Sequence, residues 1–252
     1  DTLNNMAEKN SGSTYSGIMR DLEAQKYAPV YVLMGDEPYF IDQIAGYIEE
    51  RALLPEEKDF NQTVMYGADV AGAQVVDMAR EFPLMAARRV VMVKEAQGLK
   101  GTDAIVKYLA SPVATTILVL CFKGGRVDRN LAAKASAKGV LFESKKKRDY
   151  ELPAFVESYL KVRKTAIEHK AAAMIAEHVG SDLARLTSEL DKVLISLPAD
   201  DRRITPEIVE RQIGVSKDFN VFELRNAIVE KNVFKANQIM NYFDSNPKAG
   251  SL

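Results

Sequence analysis

Val30-Tyr31-Val32-Leu33-Met34-Gly35-Asp36-Glu37-Pro38-Tyr39-Phe40-Ile41-Asp42 reads as a buried strand, a glycine turn and a helix start. That succession normally carries a phosphate-binding loop, which needs a second glycine, a lysine and a serine or threonine at offsets five, six and seven from the first glycine. Here those positions hold Phe40, Ile41 and Asp42. No side chain is available to reach a β- or γ-phosphate, and no hydroxyl to meet magnesium. Asp36 and Glu37 occupy the turn where a phosphate would be cradled. Acids at a helix N-terminus favour its dipole, so both are expected to cap the helix in place of a nucleotide. The same acids oppose a polyphosphate: like charges about 4 Å apart repel by ~4 kcal/mol at an effective dielectric of ~20. The stretch therefore reads as an ATPase-type scaffold without its ATP site, or as an ordinary α/β turn that happens to contain a glycine.

Outward from this stretch, the first ~148 residues alternate between strand and helix signals. Strand-like runs are Val30–Met34, Thr63–Tyr66, Arg89–Val93, Thr115–Phe122 and Val140–Phe142. Between them, Ile41, Ile44, Ala45, Ile48 and Ala52 recur at helical spacing after Pro38. Asp69 is expected to cap a helix carrying Val75, Met78, Ala79 and Phe82, stopped by Pro83. Asp103 opens another with Ile105, Val106 and Leu109, and Asp128 opens one that closes at Gly139. Such alternation predicts a mainly parallel, doubly wound α/β sheet.

After the basic run Lys145-Lys146-Lys147-Arg148 strand signals vanish. Helices are predicted over Leu152–Val162, Ala171–Val179, Leu183–Leu194 and Pro206–Ile213, with Ser181 or Asp182 capping the third. From Asp218 onward come two more helical patterns, Phe222, Leu224, Ala227, Ile228 and then Val233, Phe234, Ala236, Ile239, Met240, Phe243. Two such helices cannot build a sizeable core alone, so a longer parent protein is expected. The expected domains are 1–148 (α/β), 149–214 (a helical lid) and 215–252 (the start of a truncated helical segment).

Composition narrows the chemistry. The 252 residues are 47% apolar with a formal charge of -1, which gives no global pull toward nucleic acid. No run approaches the ~18 apolar residues of a membrane span, and the polar opening Asp1–Ser16 has no signal-peptide core. The single cysteine, Cys121, sits in an apolar run, so disulfides play no part and a reducing cytoplasm is the natural home. His169 and His178 are the two histidines; they are too dispersed for zinc, and no nucleophile elbow or Cys/His arrangement appears. No metal, cofactor or catalytic residue is expected. A second ATPase element would end an apolar strand in Asp-Glu, yet Val90-Val91-Met92-Val93 runs into Lys94-Glu95. A lysine is electrostatically wrong where magnesium should be held.

Between Phe82 and the third strand lies Pro83-Leu84-Met85-Ala86-Ala87-Arg88-Arg89. Since Pro83 ends the helix, Leu84 and Met85 fall in a short connection at the sheet's edge. Periodicity leaves two readings: the pair folds back on the core, or it forms an exposed apolar wedge for a partner, a role suited to the adaptable thioether of methionine. Lys145, Lys146, Lys147 and Arg148 could contact a phosphate backbone, although a basic run between domains is more often a solvated linker. Arg202 and Arg203 are discounted in the same way.

Three stretches together resemble the delta subunit of the bacterial DNA polymerase III clamp loader. They are Tyr31–Tyr39, Phe82–Val91, and Gly180–Leu186 continuing through Glu189–Lys192. The resemblance spans essentially the whole chain. It implies an AAA+-like domain without ATPase motifs, a helical lid, and the start of a helical collar from about Val215. It implies no catalytic residue, only membership of a DNA-directed DNA polymerase (nucleotidyltransferase) holoenzyme. Expected partners are the sliding clamp (beta), the gamma/tau and delta prime subunits, and primed DNA, with no membrane. The family's clamp-gripping apolar pair aligns with Leu84 and Met85; its second position is often aromatic, so Met85 departs from the pattern. The alternative is an AAA+ ATPase with a divergent phosphate-binding loop.

Overall fold

The computed structural model describes residues 13–125, 127–198, 201–216 and 218–246. Most of the polar opening Asp1–Ser16 and the last residues of the expected collar segment, 247–252, lie outside them. The chain divides into two compact units, 1–146 and 147–252.

The first unit runs α1 (Tyr15–Glu23), β1 (Val30–Gly35), α2 (Pro38–Arg51), α3 (Pro55–Asn61), β2 (Gln62–Tyr66), α4 (Gly72–Arg80), β3 (Arg89–Lys94), α5 (Thr102–Tyr108), β4 (Thr116–Lys123), α6 (Arg129–Lys138) and β5 (Val140–Ser144). Its five strands form one parallel sheet ordered β2-β3-β4-β1-β5. The strand sequences explain why both faces are covered. Successive side chains point to opposite faces, and here both sets are apolar. Val30, Val32, Val91, Val93, Leu118 and Leu120 pack with α4, α5 and α6 residues such as Val75, Ile105 and Leu131. Tyr31, Leu33, Val90, Met92, Val119 and Cys121 pack on the other side with Ile18, Leu22, Ile41, Ile44 and Ile48 of α1 and α2. This is the parallel, doubly wound α/β sheet expected from the sequence.

Several expectations need correction. Helix α4 begins at Gly72 with Ala71 as its N-cap, and ends at Arg80; Asp69 is no cap and Phe82 lies outside the helix. The Ala79 carbonyl accepts from the hydroxyls of Thr116 (2.8 Å) and Tyr108 (3.4 Å), a tertiary tie that closes the helix end before Pro83 is reached. Helix α5 is capped at Gly101, with Asp103 in its first turn. Helices α1 and α3 escaped sequence reading. In α1 the buried apolar positions are Ile18 and Leu22, too few for a periodic signal. In α3 Phe60 faces solvent and the buried residue is Asn61.

The second unit holds α7 (Leu152–Val162), β6 (Ala166–Ile167), α8 (His169–Val179), α9 (Leu183–Ser196), β7 (Arg203–Ile204), α10 (Pro206–Ile213), α11 (Val221–Val229) and α12 (Val233–Ser245). Helix α8 is its axis: residues 171 to 176 are all buried, the pattern of a helix enclosed on every side. Asp182 caps α9 through the Arg185 amide, and the buried stripe of α9 is Leu183, Leu186, Leu190 and Val193. Strand signals do not vanish completely, since β6 and β7 form a two-residue parallel ribbon. Glu223 on α11 is buried between Lys170 of α8, at 2.8 Å, and Lys235 of α12. Burial alone would raise its pKa, yet the hydrogen bonds and charges of the two lysines hold it below the ordinary carboxylate value. Ile228, Val229, Val233 and Phe234, around the α11–α12 turn, are exposed.

Candidate functional site

The C-terminal ends of a parallel sheet are where α/β proteins hold ligands. In this chain that rim is filled by its own side chains. Glu37 is buried and caps α2, its carboxylate accepting from the Tyr39 amide at 3.0 Å. It supplies the anion that a helix N-terminus would otherwise take from a phosphate. Asp36, expected to share this role, is exposed. Gly35 has φ +131°, and a Cβ there would lie 2.0 Å from the Ser144 carbonyl oxygen. The Gly35 carbonyl accepts from Gly124, and the Ser144 carbonyl from Glu37, which draws the turn against its neighbours. Phe40 packs its ring against Tyr15 and Tyr39, with centroids 4.8 and 5.2 Å away. Ile41 is fully buried in the α2 core.

Lysines do approach this rim, but they are engaged. The Lys123 ammonium lies 2.7 Å from Asp42 and 3.6 Å from Glu95, and Lys94 lies 2.8 Å from Glu49. Burial works against the charge on Lys123, yet the hydrogen bond and charge of Asp42 carry its pKa above the ordinary lysine value. The hydrogen bond that Lys94 donates to Glu49 raises the lysine's own pKa in the same way. Cys121 lies beneath this rim, its thiol pushed up to about 12 by burial.

The opposite end of the same sheet is open. Because the strands are parallel, the connection entering β3 lies at the rim away from Gly35. There Phe82 is 82% exposed, Leu84 56% and Met85 96%. The fold-back reading of Leu84 and Met85 is excluded by that exposure. The pair precedes β3, a strand inside the sheet. Met85 has φ +52°, the left-handed region that costs an L-residue about 1–2 kcal/mol.

The base of this loop is tightly bonded. Asn61, fully buried, accepts from the Leu84 amide at 2.7 Å and donates to the Leu84 carbonyl at 2.9 Å. Arg89 pairs with Glu81 at 2.6 Å, which joins the two ends of the loop, and donates to the Phe60 carbonyl at 3.3 Å. The Arg88 guanidinium sits 4.6 Å from the centre of the Tyr27 ring. The loop thus holds its apolar side chains in solvent over a backbone bonded from below. Sequence reading missed Phe82 as part of it, and missed Asn61 altogether. A lone buried asparagine at a helix end gives no periodic signal.

The basic run is not gathered into a site. Lys145 lies 3.5 Å from Glu143, Lys147 and Arg148 each sit 6.0 Å from a ring centre (Phe155 and Tyr150), and Lys146 is exposed. Arg203 pairs with Glu168 at 3.1 Å, and Arg202 donates to Thr165. His169 and His178 are both exposed, and His169 meets Glu157 at 3.1 Å. Among the described residues there is no cluster of three metal-ligating side chains and no helix long and apolar enough to cross a membrane.

Residues 31–145, which include both the filled rim and the exposed tip, match the family model described as "DNA polymerase III, delta subunit". Over that stretch the chain is similar to the family. DNA polymerase III subunit delta of Bacillus subtilis (strain 168) is 28% identical over 234 residues, covering 88% of this chain and 67% of that protein. Among solved structures, the Bacillus subtilis DNA clamp loader delta protein (YqeN) superposes with a TM-score of 0.67 at 24% identity. That match covers 92% of this chain and 72% of the other, and it shows a shared fold.

Proposed function

We propose that the chain is a clamp-loader subunit that hydrolyses no ATP itself, grips the ring-shaped sliding clamp through Leu84 and Met85, and opens it for loading onto primed DNA. One observation carries this reading: the apolar pair stands in solvent on a loop whose backbone is fixed at both ends and in the middle. Contiguous exposed apolar patches mark interaction sites, and Phe82, Leu84 and Met85 stand exposed together on one loop. A hydrophobic pocket on the clamp would take the pair, and the flexible thioether of Met85 suits such a pocket. Tighter contact with the open ring than with the closed one shifts the ring's equilibrium, and only that difference in affinity performs the opening.

In this reading residues 1–148 are the clamp-gripping AAA+-like domain, 149–214 the lid, and 215–252 collar sequence. Subunits of the gamma/tau and delta prime type supply the ATP turnover and the rest of the ring. Lys145–Arg148 would meet DNA only through phosphates, without sequence preference. Against an ATPase with a divergent loop stand the Glu37 carboxylate at the α2 N-terminus and the two engaged lysines.

The test is a pull-down of the cognate sliding clamp with the parent chain and with Leu84→Ser/Met85→Ser. The parent is expected to retain the clamp. The variant is expected to lose it while keeping its circular dichroism and melting temperature, since substitutions of exposed residues change stability by only about 0.5 kcal/mol. Equal retention by both would sink the assignment. Tight ATP binding by the chain in a calorimeter with magnesium present would favour the alternative.

A further inference from the structure

We propose that Asn61 is a positioning residue for the clamp-binding tip, its carboxamide bonding the Leu84 backbone as a neighbouring strand would, so that Leu84 and Met85 are presented already ordered. The inference rests on the clamp-gripping reading of that pair and adds how the pair is held.

Asn61 is the last residue of α3, 23 residues from Leu84 in sequence, and its side chain is inaccessible to solvent. Every hydrogen-bonding atom of the carboxamide has work. Oδ1 accepts from the Leu84 amide at 2.7 Å, and Nδ2 donates both to the Leu84 carbonyl at 2.9 Å and to the Glu57 carbonyl at 2.9 Å. An asparagine side chain offers one donor nitrogen beside one acceptor oxygen, the same pair that a peptide group presents along a strand edge. Leu84 is therefore held as if paired in a sheet, although it lies outside every strand. The bond from Nδ2 to Glu57 passes back into α3, so the clasp is anchored to a helix and not to another loop.

This arrangement answers a problem that the tip poses. A loop carrying uncovered apolar side chains gains nothing from burying them before its partner arrives, and freezing it on binding costs affinity. With the Leu84 backbone fixed beforehand, the next residue turns into the left-handed region and Met85 stands almost fully exposed. The Glu81–Arg89 pair closes the loop ends, and the Arg89 bond to the Phe60 carbonyl draws the same end of α3 against them. Asparagine is demanded by geometry here. Aspartate loses the donor and sets a charge against two carbonyls, and alanine removes both partners of the Leu84 amide and carbonyl.

The experiment reads two properties of the parent chain, Asn61→Ala and Asn61→Asp. The first is hydrogen exchange at the Leu84 amide in the free protein. We expect it to be slowed at least tenfold relative to an unstructured peptide in the parent, to be near the unstructured rate in Asn61→Ala, and to be intermediate in Asn61→Asp, which keeps the acceptor. The second is affinity for the sliding clamp, measured well below each melting temperature. It is expected to weaken tenfold or more in Asn61→Ala and less in Asn61→Asp, in the same order as the exchange. A merely structural role would lower the melting temperature and leave the affinity alone. Parent affinity in a variant whose Leu84 amide has lost protection overturns the proposal, as does an unprotected Leu84 amide in the parent. Should Asn61→Ala not fold, Asn61→Asp against the parent decides by the same two readings. Clamp retention by Leu84→Ser/Met85→Ser would instead remove the clamp-gripping reading and this inference with it. In that case the exchange result still reports separately whether Asn61 holds the loop.

Discussion

The two rims of the five-stranded sheet solve opposite problems with similar materials. At the Gly35 rim three acids find partners inside the unit: Glu37 the helix N-terminus, Asp42 Lys123, Glu49 Lys94. At the rim entering β3, the Leu84 and Phe60 backbone groups are bonded by the side chains of Asn61 and Arg89, an arrangement that leaves apolar side chains facing water. The first rim turns these paired groups toward one another. The second has used its hydrogen bonds for position and kept its hydrophobic surface in reserve. Closure by salt bridges and openness by clasped backbone are thus two outcomes of one rule, that buried polar groups must be bonded.

If the Gly35 rim is as closed as this contrast requires, Cys121 beneath it should be almost inert. With a thiol pushed up to about 12, alkylation by iodoacetamide at pH 8 should run roughly a thousandfold slower than for a free cysteine of pKa ≈ 8.5. Mass spectrometry over time measures it; rapid labelling of the folded chain would break the comparison at once. Gly35→Ala attacks the same rim directly, because its new Cβ meets the Ser144 carbonyl oxygen at 2.0 Å in a backbone conformation with φ +131°. A loss of about 3 kcal/mol is expected. Labelling of Cys121 across a urea series reports it for the first unit alone.

The open rim should respond with the reverse sign. Met85→Gly removes an L-side chain from the left-handed region, which should raise stability by about 1 kcal/mol once the greater freedom of unfolded glycine is subtracted. The same change should weaken clamp binding. A variant that gains stability and keeps the clamp would show the strained residue to be incidental. The smallest effect is expected at Lys123→Met. The pairing carboxylates of Asp42 and Glu95 are about half exposed, so solvent screening limits the loss to about 0.5 kcal/mol. The sign with pH follows from the raised lysine pKa. The folded group binds its proton more tightly than the unfolded one, so the stabilisation is complete below the ordinary value of 10.5 and vanishes as pH climbs through the higher folded value. Parent and variant should therefore converge in urea stability in strongly alkaline solution.

Much of the first unit was legible in advance, for reasons that the same residues make plain. A parallel strand buried on both faces is a nearly unbroken apolar run, so Val30–Met34 and Arg89–Val93 announced themselves to within a residue. Where a helix is capped by its immediate neighbour, as Asp128 caps α6 through the Asn130 and Leu131 amides, the local sequence sufficed. It failed where a distant group intervened. Phe82 fits a helical face by spacing, but α4 had already ended against Thr116 and Tyr108, more than 25 residues further along the chain. Helix α3 was invisible because its one buried side chain is polar.

By itself the sequence determined two things: the alternation that builds the parallel sheet, and the missing lysine and hydroxyl of a phosphate loop. These are local properties, fixed by side-chain period and by neighbours a few residues apart. Only the tertiary structure decided that the pair faces water, that Phe82 joins it, and that Asn61 holds its backbone. Each depends on which buried polar groups meet across twenty or more residues. Periodicity records which side of an element is apolar and carries no information about which distant hydrogen bond will hold a loop in place.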